Sequence, residues 1–260
     1  MDELELATVT AANDAWGGTA PLGSEVVETP EYRMVRMPER FGSHLMVQWV
    51  RSSRPADAVL TDIVTRAAEF GRPEAWVTVR LSAPDGLDEA LLARGGELGD
   101  TYDVLAMPLP AEIKAPDLPE LRWATTFEVA RDVNAVATVM FGGTRASDDL
   151  LAQRAAEERE KFEAGAGGAL AAYLDGTPVG VGSVEVVDGV ARLAGSGVLE
   201  SQRGRGIYQA MVVGRLAYAV EHGATMALSQ GNVTTSSPIL QRIGFVAYGQ
   251  ERAYRLPLTA

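Results

Sequence analysis

The sequence predicts a fold of the α+β class (mixed α/β), in which two related halves each have a mostly antiparallel central sheet flanked by helices. Three observations lead to this prediction. Asp-Gly pairs join three consecutive strand-like stretches, a proline-rich segment divides the 260-residue chain near its middle, and the stretches on either side of that segment repeat one another. Asp-Gly is a strong signal for a two-residue hairpin turn, and such a turn joins antiparallel strands.

The dividing segment covers residues 107–119 and has prolines at positions 108, 110, 116 and 119. Proline fixes its own φ and has no amide hydrogen, so this spacing excludes a helix and disfavours a central strand. We therefore expect an extended connector. It divides the chain into a first domain at residues 1–118 and a second domain at residues 119–260.

The internal repeat keeps the same order of elements over about 50 residues in each half. Each copy has a helix-like stretch ending at a glycine, Gly71 or Gly223, then a buried-type strand, a short helix and two strand-like stretches that end in apolar-Pro-Leu. A glycine directly after a helical pattern is typical of a left-handed C-cap. The matched stretches are residues 56–70 and 206–222, 76–81 and 226–229, 91–96 and 239–245, and 98–109 and 246–258. This order favours duplication of one unit.

The second half opens with a strand at residues 121–126, followed by two helices in which apolar residues recur at spacings of three and four. Three strands joined by Asp175-Gly176 and Asp188-Gly189 come next and form an antiparallel meander. A helix, a strand, a short helix from Ser236 and two closing strands complete a strand-helix-strand crossover. The predicted bounds are 129–141, 148–163 and 206–222 for the helices, and 169–174, 179–187, 190–198 and 226–229 for the strands.

The charge of the chain is acidic and uneven. It has 23 basic and 35 acidic residues and a formal net charge of −12. This argues against a general nucleic-acid binder, because neutralising phosphates requires a surplus of Lys and Arg. Residues 1–118 have a net charge of −10 and residues 119–260 a net charge of −2. An anionic ligand is therefore expected in the second half.

The residue types exclude several kinds of chemistry. Cysteine is absent, so disulfides, thiolate metal sites and cysteine nucleophiles are excluded, and the two histidines have no metal-type spacing. No apolar run approaches the roughly 20 residues of a membrane helix, and the acidic start is unlike a secretory signal. We expect a cytoplasmic protein without a metal, membrane or nucleic-acid partner. The sequence leaves open whether the protein forms a homodimer.

Residues 198–211 are the most informative stretch, because they join the end of a strand to the start of a helix. Gly204 and Gly206 allow a tight turn with free amide hydrogens. Such amides, at the positive end of the helix dipole, favour a phosphate group, and Arg203 and Arg205 add positive charge. The plain alternative is an ordinary glycine-rich turn with solvated arginines.

Two other phosphate motifs fit this stretch less well. A Walker A loop requires Lys followed by Ser or Thr where Ile207-Tyr208 stands. A dinucleotide fingerprint requires a third glycine and a parallel strand context, whereas the preceding strands form a meander.

Residues 203–208, Arg-Gly-Arg-Gly-Ile-Tyr, resemble the signature Arg/Gln-x-x-Gly-x-Gly/Ala of the GNAT superfamily of acyl-CoA-dependent N-acetyltransferases. The resemblance covers residues 119–260 in the family's order of elements, and it extends to Asn232 and to the closing Gly244-Phe245. The first half then resembles a degenerate copy, with Arg-Ser-Ser-Arg-Pro at residues 51–55 in place of the glycine loop.

The resemblance implies acetyl-CoA as cosubstrate and direct transfer of its acetyl group to an amine. It implies that the amides of residues 205–208 and two arginines hold the pyrophosphate, and that strand edges at residues 197–199 pair with the pantetheine arm. The Val198 N–H would polarise the thioester carbonyl. The implied cofactor-binding residues are Gly197, Val198, Leu199, Arg203, Gly204, Arg205, Gly206, Ile207, Tyr208, Asn232 and Ser237.

Two positions depart from the family pattern. Tyr208 replaces the last Gly/Ala of the signature. Leu240 stands four residues before the closing glycine, where the family often has a Tyr that donates a proton to the departing CoA thiolate. Tyr248, Tyr254 or water are candidates for that role.

An amine with a pKa of about 10 must lose a proton before it attacks. We take Glu185 as the first candidate for the base and Glu200 as the second, with a solvated strand carboxylate as the plain alternative for Glu185. The sequence therefore predicts an acetyl-CoA-dependent N-acetyltransferase whose acceptor is expected to be small and cationic. The alternatives are a protein N-terminus or lysine as acceptor, and a catalytically inactive CoA-binding sensor or assembly module.

Overall fold

The first half of the chain has three helices and five strands among the residues that a computed structural model describes, which are 4–17, 20–21, 23–39, 44–114 and 119–258. In chain order they are α1 Leu6–Asp14, β1 Glu25–Glu28, β2 Tyr32–Arg36, β3 Leu45–Val50, α2 Ala56–Ala68, β4 Glu74–Val79, α3 Leu87–Ala93 and β5 Glu97–Pro108. Within these ranges there is no helix with the length and apolar character needed to cross a membrane.

The second half has six strands and four α-helices in its described residues. They are β6 Glu120–Trp123, α4 Phe127–Phe141, α5 Asp148–Glu163, β7 Gly167–Leu174, β8 Thr177–Val187, β9 Val190–Val198, α6 Ile207–Glu221, β10 Met226–Asn232, α7 Ser236–Arg242 and β11 Val246–Pro257. The predicted helix at 148–163 and strand at 190–198 have these same bounds. Strand β6 is shorter than predicted, because the hydroxyl of Thr126 accepts from the Val129 N–H and caps α4.

Both Asp-Gly pairs form the expected hairpin turns. Asp175 and Asp188 have φ of 47° and 51°, and the glycines that follow them have φ of 74° and 75°. Positive φ at both central residues is the condition for a type I′ turn, which matches the twist of the strands. These turns connect β7, β8 and β9 into the antiparallel meander.

The described strands form one continuous sheet in the order β1-β2-β3-β4-β11-β5-β10-β9-β8-β7-β6. Neighbours are antiparallel except for β3 with β4 and β9 with β10. Helix α2 connects the first parallel pair and α6 connects the second, so the two halves repeat the same strand-helix-strand unit. The mixed α/β fold, with its mostly antiparallel sheet flanked by helices, is as the sequence predicts.

The last strand of each half lies against the other half. Strand β5 pairs with β10, β11 pairs with β4, and β5 and β11 pair with each other at the centre. The two halves therefore exchange their terminal strands within one sheet. Residues 115–118, with Pro116 and the expected boundary after residue 118, lie outside the described residues.

Two expectations about the strands are wrong. Each half closes with one strand of 12 residues where the sequence suggests two. In β11 the register shifts between Ala247 and Gln250, so a bulge interrupts the alternation within a single strand. The dividing segment also begins inside a central strand, since Pro108 ends β5 opposite Met226. The missing amide hydrogen is tolerated there because β11 does not extend to that position.

Helices cover both faces of the second-half sheet. Val212 of α6 and Leu240 of α7 pack with Ala227 of β10 on one face. The next residue of β10, Leu228, points to the opposite face and packs with Val9 of α1. Helices α4 and α5 also lie on that opposite face, where they cover β7.

Candidate functional site

A cleft of about 770 Å³ opens where β9 ends and α6 begins. One wall consists of Ser196, Gly197 and Val198 at the end of β9, and Ser236 and Ile239 of α7 lie on the other side. The turn before α6 forms the floor between these walls. The cleft therefore lies at the carboxyl end of the parallel pair β9 and β10.

Strands β9 and β10 separate beside this cleft. They pair only from Val190 to Leu193 and from Met226 to Ser229. Beyond that point β9 continues along β8 up to Val198, whereas β10 continues along β5 up to Asn232. The facing edges of residues 194–198 and 230–232 are not paired with each other, so backbone groups border a gap in the sheet.

A bulge in β9 accounts for the separation. The register between β8 and β9 shifts between Val181 and Ser183, and Gly195 has a φ of 56°. An extra residue bends its strand and increases the local twist. Glycine is the residue type that adopts this φ without a steric penalty.

The turn into α6 presents backbone amides to the cleft. Gly204 and Gly206 have φ of 76° and 78°, and α6 begins at Ile207 with no side chain capping its N-terminus. A Cβ on Gly204 would meet nothing within 4 Å, so the space in front of this backbone is open. The first amides of α6 are therefore free to donate, at the positive end of the helix dipole.

The two arginines of the turn are placed differently. Arg203 lines the cleft and its Nε donates to the Val198 carbonyl oxygen at 3.3 Å. Arg205 donates to Gln202 Oε1 at 2.6 Å and does not line the cleft. Neither has an ion-pair partner in the described part of the chain. In the first half, by contrast, Arg54 pairs with both Glu31 and Asp62.

The structure brings seven of the predicted site residues together in the cleft. They are Gly197, Val198, Arg203, Gly204, Gly206, Ile207 and Tyr208. The side chain of Tyr208 is partly buried, and this burial raises its pKa above the ordinary value, with Arg215 and a hydrogen bond to Ser236 acting in the opposite direction.

Three other predicted cofactor residues are engaged elsewhere. The Leu199 N–H donates to the Val179 carbonyl oxygen at 2.9 Å. The Asn232 amide nitrogen donates to Asp100 at 2.9 Å, and the fully buried Ser237 hydroxyl donates to Asp103. Both carboxylates belong to β5, the exchanged strand.

Glu185 lies outside this cleft. Its neighbour across the sheet is Arg192, and the two side chains form an ion pair at 3.6 Å. Both line a second cleft of about 360 Å³ that also contains Lys161 of α5. The structure therefore places this carboxylate on the sheet face opposite α6.

The candidate replacements for the missing acid lie away from the cleft. Leu240 is 1% exposed in the core between α7 and the sheet. The Tyr254 hydroxyl donates to Asp88 of α3 at 2.8 Å, and Tyr248 packs against the α1 side of the sheet. Glu200, the second candidate base, is exposed in the turn after β9 and does not line the cleft.

Arg215 is a buried charge that the sequence reasoning missed. It is fully buried on α6, and its guanidinium donates to Ser183 O and to Ser196 Oγ at 2.9 and 2.6 Å. The sequence signal for its burial is that Arg215 lies among Met211, Val212 and Leu216 on the apolar face of α6. A charge at such a position is either functional or unusually costly.

Comparisons with known proteins agree with this geometry. Residues 129–245 match the model of the Acetyltransferase (GNAT) family. Curated proteins gave no match to the chain.

Solved structures resemble the chain over nearly its whole length. A GCN5-related N-acetyltransferase from Kribbella flavida has a TM-score of 0.65 at 19% identity, covering 99% of this chain and 97% of that one. A GCN5-related N-acetyltransferase from Sphaerobacter thermophilus has a TM-score of 0.61 at 17% identity, covering 96% and 85%. A tandem GNAT protein from the clavulanic acid biosynthesis pathway has a TM-score of 0.62 at 15% identity, covering 98% and 94%. Residues 129–245 thus match the GNAT acetyltransferase family, and the whole chain shares its fold with these structures, one of which is a tandem GNAT protein.

Proposed function

We propose that this protein is an acetyl-CoA-dependent N-acetyltransferase that transfers the acetyl group directly to an amine. The observation that carries the proposal is the meeting of an opened strand gap and an uncapped helix N-terminus in one cleft. The cleft volume of about 770 Å³ is in the usual range for cofactor pockets. The GNAT family match over residues 129–245 supports the same chemistry.

Each part of the cleft suits a different part of acetyl-CoA. The free amides of residues 205–208 and the Arg203 guanidinium suit the pyrophosphate. The unpaired edges of β9 and β10 suit the amide groups of the pantetheine arm, which can extend a strand edge. The Val198 N–H would then stabilise the negative charge that develops on the thioester oxygen.

The acceptor is proposed to be a small amine, and a cationic one, because the first half has a net charge of −10 and attracts cations. Glu185 stays the proposed base. Its side chain is 41% exposed in the second cleft, on the sheet face opposite α6, so we propose that it acts on the amine through water.

Calorimetric titration with acetyl-CoA tests the proposal, and the two arginines provide a matched pair. Arg203→Ala removes a charge that lines the cleft, and Arg205→Ala removes the same charge from a side chain that does not line it. We expect the first variant to weaken binding about 10- to 100-fold, as for a charged hydrogen bond, and the second by at most about threefold. Absence of binding by the wild-type protein, or equal losses in both variants, would contradict the proposed site.

A CoA-binding module without catalysis is the second candidate, because the position of the usual family acid is occupied by the buried Leu240. Release of CoA thiol from acetyl-CoA over a panel of amines separates the two. Turnover on any acceptor supports the transferase. Loss of that turnover in Glu185→Gln supports Glu185 as the base. Binding without turnover on small amines, polyamines and peptides supports the module.

A further inference from the structure

The second cleft, of about 360 Å³, is lined by residues of both halves of the chain. Trp16, which follows α1, comes from the first half, and Lys161 of α5 comes from the second. Between them lie Glu185 of β8 and Arg192 of β9, which are neighbours across the sheet. The volume is near the lower end of the range for small-molecule sites, so the cleft suits a ligand about the size of a single amino acid.

Arg192 is a buried cation whose hydrogen-bond donors are not used. Its side chain is 8% exposed, and its Nε is buried without a hydrogen-bond partner. Within the described part of the chain its charged contact is from Nη1 to Glu185 Oε2 at 3.6 Å, which is too long for a hydrogen bond. Arg252, by contrast, donates two hydrogen bonds to Asp88, at 2.6 and 2.7 Å. The guanidinium of Arg192 is therefore available to a ligand group with two acceptor oxygens.

The carboxylates that line the second cleft do not satisfy this guanidinium. Glu158 is held by the backbone, since its Oε2 accepts from the Ala169 N–H at 2.6 Å, and its Oε1 lies 3.8 Å from Lys161 Nζ. The Glu185 side chain is 41% exposed, so its charge is partly hydrated. A buried cation without hydrogen bonds is costly, and a bound carboxylate that supplies them would offset this cost. The cleft therefore favours a ligand that has a carboxylate.

Glu185 and Arg192 place opposite charges side by side in the cleft. A ligand with an ammonium group alone would leave the Arg192 donors unused, and a ligand with a carboxylate alone would meet the like charge of Glu185. An α-amino acid has both groups on one carbon atom, so its ammonium can lie toward Glu185 while its carboxylate lies toward Arg192. Lys161 adds a second cation for the carboxylate, and Trp16 adds an aromatic surface for an apolar side chain.

The second cleft and the first cleft border the same gap in the sheet. Ala194 of β9 lines the second cleft and Ser196 lines the first. Gly195, at the bulge between them, has a φ of 56°, and the strand turns its side chains to the other face there. The β9 edge at residues 194–198 is not paired with β10. An acetyl group held in the first cleft therefore has an opening toward an amine in the second.

We propose that the second cleft binds the acceptor, that the acceptor is an α-amino acid, and that Arg192 binds its carboxylate. The inference rests on the proposed acetyltransferase function and narrows the proposed cationic amine to one that also has a carboxylate. The ammonium group releases one proton to Glu185 through water, and the free amine forms a bond to the acetyl carbonyl carbon. The carbon–sulfur bond breaks with its electron pair going to sulfur, and the second proton of the nitrogen passes through water to the CoA thiolate.

Calorimetric titration of the wild-type protein tests the chemistry of the ligand. The common L-amino acids are titrated first, and the tightest binder is compared with the amine that lacks its carboxylate and the acid that lacks its ammonium. For leucine these analogues are 3-methylbutylamine and 4-methylpentanoate. Each titration is made on the free protein and on the protein with CoA, which has no acetyl group to transfer. Each analogue is expected to bind at least about 10-fold more weakly than the amino acid, as for the loss of one charged hydrogen bond.

Two variants locate the two charges. Arg192→Gln is expected to weaken binding of the amino acid about 10- to 100-fold and not to weaken binding of the amine analogue. Glu185→Gln is expected to weaken binding of the amino acid and the amine, and not of the acid analogue. The control is Arg122→Gln, which removes an arginine from another strand Arg–Glu pair, with Glu120, that lines neither cleft. It is expected to leave the affinity for all three probes unchanged.

The outcomes separate this inference from the proposed function. Absence of acetyl-CoA binding overturns the proposed function, whereas the amino-acid site is tested by the same probes on the free protein. If acetyl-CoA binds and no amino acid binds more tightly than its two analogues, only the inference is overturned. Equal losses in Arg192→Gln and Arg122→Gln also overturn it. If Arg192→Gln does not fold, Glu185→Gln decides, because an equal loss of affinity for the acid analogue and the amino acid rejects the paired-charge site.

Discussion

Gly204 and Gly223 form a matched pair that tests how backbone conformation supports the cleft. They lie near opposite ends of α6, with φ of 76° and 82°, and a Cβ on either would meet nothing within 4 Å. Alanine at either position is therefore strained by φ alone and not by a clash. A left-handed conformation costs an L-residue about 1–2 kcal/mol. Replacing glycine with alanine offsets about 0.4–1 kcal/mol of this cost, because alanine lowers the conformational entropy of the unfolded chain.

The expected net loss is about 1 kcal/mol for each variant, which corresponds to a fall in Tm of about 2–4 °C for a chain of this size. The effect on ligand binding is expected to differ. Gly204 lines the cleft and Gly223 does not. Relaxing the strain at Gly204 turns the amides that precede α6 away from the cleft, so acetyl-CoA affinity is expected to fall about 10-fold in Gly204→Ala only.

Thermal unfolding and calorimetric titration of both variants provide the measurement. Equal stability losses with a binding loss confined to Gly204→Ala support the assignment of the turn as the phosphate-binding element. An equal loss of affinity in both variants refutes it, because the effect would then not be local. An unchanged Tm in both refutes the argument from φ.

Two further predictions concern the exchanged strands. The hydrogen bond from Arg252 of β11 lowers the pKa of Asp88 in α3, so its stabilising contribution is present above the unfolded-state pKa and is lost as the pH falls through the folded-state pKa. Asp88→Asn is expected to lower the free energy of unfolding by about 1–3 kcal/mol at pH 7 and by much less near pH 3, whereas equal losses in urea titrations at both pH values would reject this linkage. Residues 1–118 and 119–260 expressed separately are expected not to fold as monomers. The first half would lack β11, which pairs with β4, and the second half would lack β5, which pairs with β10. Co-expression of the two halves is expected to give a complex. A cooperative unfolding transition in either isolated half would contradict this expectation.

The parts of the fold that could be predicted from the sequence depend on residues that are close together along the chain. The Asp-Gly turns require only positive φ at two adjacent positions, and α5 has a Ser147 cap whose hydroxyl accepts from the Leu150 N–H. The exchange of β5 and β11 could not be predicted in this way. The same strand sequence can pair with either half, and only long-range packing decides between them.

The same difference between local signals and long-range packing applies to the candidate site. The turn at residues 203–208 was recognisable because glycine spacing is a local signal. Arg215 was missed because a single arginine on a helix is usually solvated, and its burial becomes apparent only when α6 is placed against β8 and β9. Asn232 and Ser237 were expected to face the cofactor, yet both contact carboxylates that a distant strand brings beside them.

These two contacts explain what the first half contributes to the cleft. Strand β5 pairs with β10 up to Asn232, three residues beyond the last pair between β10 and β9. Asp103 of β5 accepts from Ser237, and Gln241 donates to that same hydroxyl at 2.8 Å, which fixes α7 against the exchanged strand. The pairing of β10 with β5 and the bulge in β9 together keep the ends of β9 and β10 apart. The first half, which has Arg-Ser-Ser-Arg-Pro at residues 51–55, therefore supplies the strand beside β10 that borders the second half's cleft.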